Sequence, residues 1–313
     1  MIEATHLTKQ YGNANALFDV NFSIDKGEVV GFLGPNGAGK STTMNLLCGY
    51  LTPSWGQVKI AGIDMVENPL EAKRHIGYLP EIPPLYMDMT VAEQLEFACE
   101  LRGLKLKKPQ LRDYIDSLCA RTQVLDTRDR LIRNLSKGYR QRGSVTQLLV
   151  GEPEILILDE PTVGLDPRQI REFRDLLSEL SHEHTIILSS HILSEISSVC
   201  KRILVFYEGM LIADGEPQNL QEQLAGHRVL EVEISGEEAG VSALLQGIPD
   251  VLAVKPVGNG VYQVAHRMGT DIRGALYRTL RPTGYELLMM KPEEVSLESL
   301  YLRITEHEQE MEA

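Results

Sequence analysis

Short, unbroken apolar runs punctuate the first two thirds of the chain. Val29 to Leu33, Ile155 to Leu158 and Ile186 to Leu188 are each apolar without alternation, and helix-compatible segments separate them. That pattern predicts strands of a mostly parallel sheet, covered on both faces. Between about residues 80 and 151 the spacing turns helical. Val91 to Leu101, Gln110 to Cys119 and Ser136 to Val150 read as helices, with Pro83, Pro84 and Pro109 as breakers. From Gly226 the texture changes again. Leu230, Val232 and Ile234 alternate with Glu231 and Glu233, as in a half-exposed strand, whereas Ile272, Leu276 and Leu280 repeat at helical spacing. Val251 to Val254, the segment around Tyr262 and Val264, and Leu287 to Met290 complete a β-α-β-β-α-β order, the split βαβ or ferredoxin-like arrangement. A last helix is expected to start near Glu293 and Glu294, with Leu297, Leu300, Tyr301 and Ile304 on one face, ahead of an acidic tail. The expected organisation is an α/β domain over residues 1–225, with a helical subdomain at about 80–151, and an α+β domain over 226–313.

The 313 residues are 43% apolar and 24% charged, which excludes wholesale disorder and fibrous structure. Lys and Arg number 31 against 44 Asp and Glu, so a net charge of -13 argues against nucleic acid as a partner for the surface as a whole. The region from Gly226 shares this balance, and it lacks the aromatic-basic strand motif of RNA-binding modules of similar order. No apolar run reaches membrane-span length, and Met1 to Gln10 lacks the features of a signal peptide, so a cytoplasmic location is expected. Cys48, Cys99, Cys119 and Cys200 are scattered without a C-x-x-C pair and read as single buried or half-buried thiols.

The sharpest chemical signal is Gly34-Pro35-Asn36-Gly37-Ala38-Gly39-Lys40-Ser41, followed by Thr42, which fits G-x-x-x-x-G-K-[ST]. It follows the apolar strand at Val29 to Leu33 and precedes a helix-compatible segment. Glycines let backbone N–H groups close around phosphate oxygens, and the helix N-terminus adds partial positive charge. Lys40 supplies a full charge to the β and γ phosphates, and Ser41 offers a hydroxyl to Mg²⁺. A second constellation follows the strand at Ile155 to Leu158, which runs directly into Asp159-Glu160-Pro161. Two carboxylates at the end of a buried strand are costly unless a cation or a reacting water uses them. Asp159 suits Mg²⁺, and Glu160 suits the proton of an attacking water. Together these features predict a P-loop nucleotide site.

These residues resemble the ATP-binding cassette ATPases. GPNGAGKST reads as the family's Walker A, and ILILDEP as its Walker B followed by the glutamate. Leu135-Ser136-Lys137-Gly138-Tyr139-Arg140-Gln141-Arg142 resembles the family signature, Gly164-Leu165-Asp166 the D-loop, and His191 falls at the switch-histidine position. Tyr11 sits where the family places an aromatic against adenine; without that context it reads as a strand-end packing residue. The resemblance covers residues 1 to about 225. It implies a P-loop NTPase cassette that binds and hydrolyses ATP with Mg²⁺, with Ser136, Gly138 and Asp166 near nucleotide and His191 near the γ-phosphate.

Two departures stand out. Glu81 replaces the usual glutamine, so a carboxylate that can ligate Mg²⁺ but cannot donate as an amide does stands near the site. In the signature, Lys137 and Tyr139 replace a glycine and a glutamine. The Leu79-Pro80-Glu81 loop and LSKGYRQR-type signature resemble the branch that drives ABC-2 type exporters, and the segment at Val295 to Thr305 is similar to the end of that branch's C-terminal domain. The family implies nucleotide held between two cassettes, here a homodimer, with Walker A of one copy facing Ser136 and Gly138 of the other. It also implies a separate integral membrane permease that holds the chain at the cytoplasmic face, with Ile82 to Met89 as a candidate contact. The rival class is a soluble cassette ATPase acting on a ribosome, DNA or an assembly scaffold.

Overall fold

A computed structural model describes residues 1–217, 220, 227–267 and 269–293. The chain divides into two units, Met1–Gly215 and Glu216–Ala313. In the first, β1 (Ile2–Tyr11) and β2 (Ala14–Ile24) form a hairpin, and β3 (Val29–Leu33) runs into helix α1 (Lys40–Leu47). Next come β4 (Trp55–Ile60), β5 (Ile63–Asp64), α2 (Pro69–Arg74) and β6 (Ile76–Leu79). Three helices follow: α3 (Val91–Leu101), α4 (Lys108–Arg121) and α5 (Lys137–Leu148). The unit closes with β7 (Ile155–Leu158), α6 (Pro167–Leu180), β8 (Thr185–Ser190), α7 (Leu193–Ser197), β9 (Arg202–Tyr207) and β10 (Met210–Gly215).

Two sheets organise this unit. One is antiparallel, ordered β2-β1-β4-β5; the other is ordered β10-β9-β3-β8-β7-β6 and parallel except for β10. All four residues of β7 are fully buried, as the unbroken apolar run requires for a strand covered on both faces. Each such side chain contributes roughly 1.5–3 kcal/mol of transfer free energy. Phe22, Phe32 and Phe206 meet ring to ring in the core beneath β3. Helices α3, α5 and α6 begin where a side chain satisfies a first-turn N–H group. Thr90 and Glu93 form a capping box on α3, as do Asp166 and Gln169 on α6. Pro109 corrects one expectation. It lies in the first turn of α4, where a missing N–H is harmless, so it starts that helix instead of breaking one.

The second unit comprises β11 (His227–Ser235), α8 (Glu238–Gln246), β12 (Val251–Gly258), β13 (Val261–Arg267), α9 (Arg273–Leu280) and β14 (Glu286–Glu293). Its sheet is ordered β12-β13-β11-β14 and is antiparallel throughout, the split βαβ arrangement. Leu230, Val232 and Ile234 face one way with Tyr262 and Val264 and pack on Val241, Leu245, Leu276 and Leu280 of the helices. The alternation with Glu231 and Glu233 has this cause. The expected last helix and the acidic tail lie outside the described residues.

Candidate nucleotide site

β3 lies between β9 and β8, with β7 beyond β8. Because these strands are parallel and in register, with Leu33 beside Ser190 and Leu158 beside Leu188, their carboxyl ends finish together. The chain leaving β3 becomes the glycine loop, the chain leaving β7 becomes Asp159-Glu160, and the chain leaving β8 becomes His191. Residues 120 positions apart or more thereby meet around one cavity of about 440 Å³, whose walls include Asn36, Lys40, Ser41, Glu81, Glu160 and His191. Crevices at the carboxyl ends of parallel strands are the usual ligand sites of such sheets.

Gly39 holds φ +104°, and a Cβ there would stand 2.6 Å from the Leu17 side chain, so the last turn before α1 admits only glycine. Pro35, Gly37 and Thr42 also line the cavity, whereas Gly34 and Ala38 support the loop behind it. The Lys40 side chain is 5% exposed; its ammonium donates to Gly34 O at 2.7 Å and Pro35 O at 3.1 Å and lies 3.4 Å from Glu160 Oε1. Ser41 Oγ donates to Asp159 Oδ1 at 3.1 Å. His191 is half-exposed and brings Nδ1 to 3.1 Å from Glu160 Oε2, while Glu160 Oε1 is buried without a hydrogen-bond donor.

Ser189 was not singled out in the sequence, yet it organises the carboxylates. Its buried hydroxyl donates to Asp159 Oδ1 at 2.6 Å and accepts the Glu160 N–H at 2.8 Å. The signal lay only in its position two residues before His191. The negative charge has effects on its neighbours. Burial first, and then Asp159, pushes the Tyr78 phenol well above its ordinary value, and the same two causes raise the Cys48 thiol.

Ser136, Gly138 and Asp166 do not join this cavity. They line a second hollow of about 500 Å³ with Gln141 and Gln169. Ser136 caps α5, accepting from Tyr139 N, and Asp166 caps α6, accepting from Arg168 N and Gln169 N at 2.9 Å each. Lys137 packs over Gly164, so any side chain at position 164, where φ is +70°, would collide with its ammonium. Tyr11 is 51% exposed at the end of β1, lies under the Lys9 ammonium and is not part of the cavity wall.

The glycine loop, the buried lysine and the adjoining hydroxyl and carboxylates form a donor set suited to a triphosphate and a hard cation. The family model described as ABC transporter matches residues 17–163. The bacitracin transport ATP-binding protein BcrA of Bacillus licheniformis is 32% identical over 306 residues, 97% of each chain. This chain belongs to the ABC transporter ATP-binding proteins. Another relative of that family, the Nod factor export ATP-binding protein I of Rhizobium meliloti (strain 1021), is 30% identical over 308 residues, covering 98% of this chain and 88% of its own. Among solved structures, cbiO1 from Clostridium perfringens, part of the ABC transporter complex cbiONQ, superposes with a TM-score of 0.65 at 30% identity. That match covers 72% of this chain and 92% of cbiO1. As an ABC transporter ATP-binding protein, the chain binds ATP and hydrolyses it to ADP and phosphate.

Proposed function

We propose that this chain is the ATP-hydrolysing subunit of an ABC-2 type exporter and couples nucleotide-driven pairing of two copies to a separate membrane permease. The observation that carries the exporter reading is the reach of the similarity. It extends through the C-terminal α+β unit to proteins named for bacitracin transport and for Nod factor export.

Within the cavity, N–H groups of the loop from Gly34 to Gly39 and the α1 N-terminus hold the phosphates, and Lys40 turns from its carbonyl acceptors toward them. Ser41, Asp159 and Glu81 offer oxygens to Mg²⁺, which when bound neutralises charge on the transferring phosphoryl group. Glu160 accepts the proton of the attacking water, and His191 steadies the carboxylate through Nδ1 and reaches the γ-phosphate side. Ser136, Gly138 and Asp166, held apart from their own chain's cavity, face the nucleotide of the second copy. Tyr11 provides an aromatic face for adenine. Two equivalent sites then form in a homodimer, and loss of the γ-phosphate contacts biases it toward opening.

Among the described residues no helix is long and apolar enough to cross a membrane. The permease contact is assigned to residues 82–89 and the adjoining groove. Ile82 is 83% exposed, and the groove walls include Pro83, Pro84, Leu101, Arg102 and Gln147. Gln94 fixes this segment from below: its buried amide accepts from Tyr86 N and donates to Pro84 O and Gln147 Oε1. The acidic C-terminal unit serves regulation or dimer contact and not nucleic-acid binding. Fractionation tests the reading. Coexpressed with a permease of about six spans encoded beside it, the chain should move to the cytoplasmic membrane, and Ile82→Asp should return it to the soluble fraction. A chain that sediments with ribosomes or DNA regardless of the permease would establish the soluble-cassette alternative.

A further inference from the structure

Glu160 adopts φ +45°, a left-handed conformation that costs a residue with a side chain roughly 1–3 kcal/mol. The proline at position 161 adds to the penalty, because the residue before proline is pushed toward extended backbone. Such a turn persists only where its surroundings fix it from both sides. On the amino side the clamp is Ser189, which accepts the Glu160 N–H. On the carboxyl side it is Gln141, whose Nε2 donates to Pro161 O at 2.7 Å. A carbonyl can only accept, so the amide nitrogen must be the atom that faces it.

Gln141 belongs to α5, the helix capped by Ser136, and it also lines the hollow that contains Ser136, Gly138 and Asp166. A single side chain therefore touches the hollow on one side and the catalytic turn on the other. One residue further along α5, Arg142 is paired with Glu172 of α6, so the helix is fastened at two points to the segment that follows Glu160.

We propose that Gln141 is a positioning residue, holding the Glu160 turn in its left-handed form and thereby making the aim of the carboxylate depend on where α5 sits. The proposal rests on Glu160 being the acceptor of the water proton. Gln141→Glu is nearly isosteric but replaces the donor with a carboxylate that faces Pro161 O, and Gln141→Leu removes the bond altogether. Both should lower kcat for ATP hydrolysis about 10-fold while KM stays within about 2-fold, the expected signature of lost aim at the reacting centre. Adding either change to Glu160→Gln should bring no further loss, because the group being aimed is already gone.

Melting temperature and ATP binding, measured on the same preparations, report folding. Wild-type kcat in folded Gln141→Glu would overturn the proposal, and so would losses that multiply in the double variant. Full turnover in Glu160→Gln alone overturns the base assignment instead, whatever Gln141 does.

Discussion

The Lys40 ammonium lies 3.4 Å from the Glu160 carboxylate, with side chains 5% and 9% exposed, yet its hydrogen bonds go to Gly34 O and Pro35 O. The pair is held by charge alone, between the first residue of α1 and the turn that follows β7. Removing the cation leaves a buried carboxylate without its counter-charge. Lys40→Met should therefore cost on the order of 2–3 kcal/mol of stability in the absence of nucleotide, besides abolishing ATP binding. Urea titration of the nucleotide-free protein measures the first effect. A midpoint equal to wild type would show that the pair contributes nothing to the fold.

Ser189→Ala removes the acceptor of the Glu160 N–H and a donor to Asp159 at once. An orphaned buried N–H costs about 1–3 kcal/mol. Turnover should fall by more than ATP affinity does, because the two carboxylates are disordered while the loop from Gly34 to Lys40 is left alone. Equal losses in both quantities would mean that Ser189 supports the loop instead.

His184 sets a pH dependence of stability away from the site. It is buried, Nδ1 donates to Pro153 O at 2.8 Å, and Nε2 faces Arg121 Nη2 at 3.3 Å, so the ring is held neutral. Burial is the main cause that holds its pKa below the ordinary 6.5, with Arg121 acting the same way against the raising effects of the Pro153 bond, Glu183 and Glu152. The unfolded chain thus takes up a proton that the folded chain resists. This contribution is complete above 6.5 and is lost as the pH falls through that value toward the lower folded pKa. Melting temperatures should fall over that interval, and His184→Gln should flatten the fall. An unchanged slope in the variant would assign the effect to other groups.

All four cysteines are free and buried. Burial raises Cys99 and Cys119 to about 11 and pushes the Cys48 and Cys200 thiols well above their ordinary value too. Native protein should react with a thiol reagent at fewer than one site per chain near neutral pH, rising to four when denatured. Prompt reaction of the native chain would contradict the burial.

The phosphate loop was legible because its chemistry is local: strand, glycine turn and helix follow one another within the span from Val29 to Leu47. The same holds for Asp159-Glu160 after β7, and for the alternation that marks β11. Long-range partners were not legible. Ser189 and Gln94 are ordinary polar residues by sequence, and Gln141, although inside the signature-like stretch, shows no partner there; only the packing of β8, α5 and α3 gives these side chains a carboxylate, a carbonyl or a loop to hold. The antiparallel pairing of β1 with β4 was equally hidden, since partners such as Ala4 and Val58, far apart along the chain, leave no local trace. Pro109 misled because proline has one meaning inside a helix and the opposite meaning in its first turn.

The Glu160 carboxylate lines the cavity beside Lys40 and His191, and the role proposed for it is to take the proton of the water that attacks ATP. Glu160→Gln keeps the size of the side chain and its capacity to accept from His191 while removing its basicity. Single-turnover hydrolysis by this variant, with ATP binding measured alongside, is the decisive test of that role. ATP affinity should stay within a few-fold of wild type, two copies should pair more tightly with ATP, and hydrolysis should fall at least about 100-fold. Hydrolysis at the wild-type rate would contradict it.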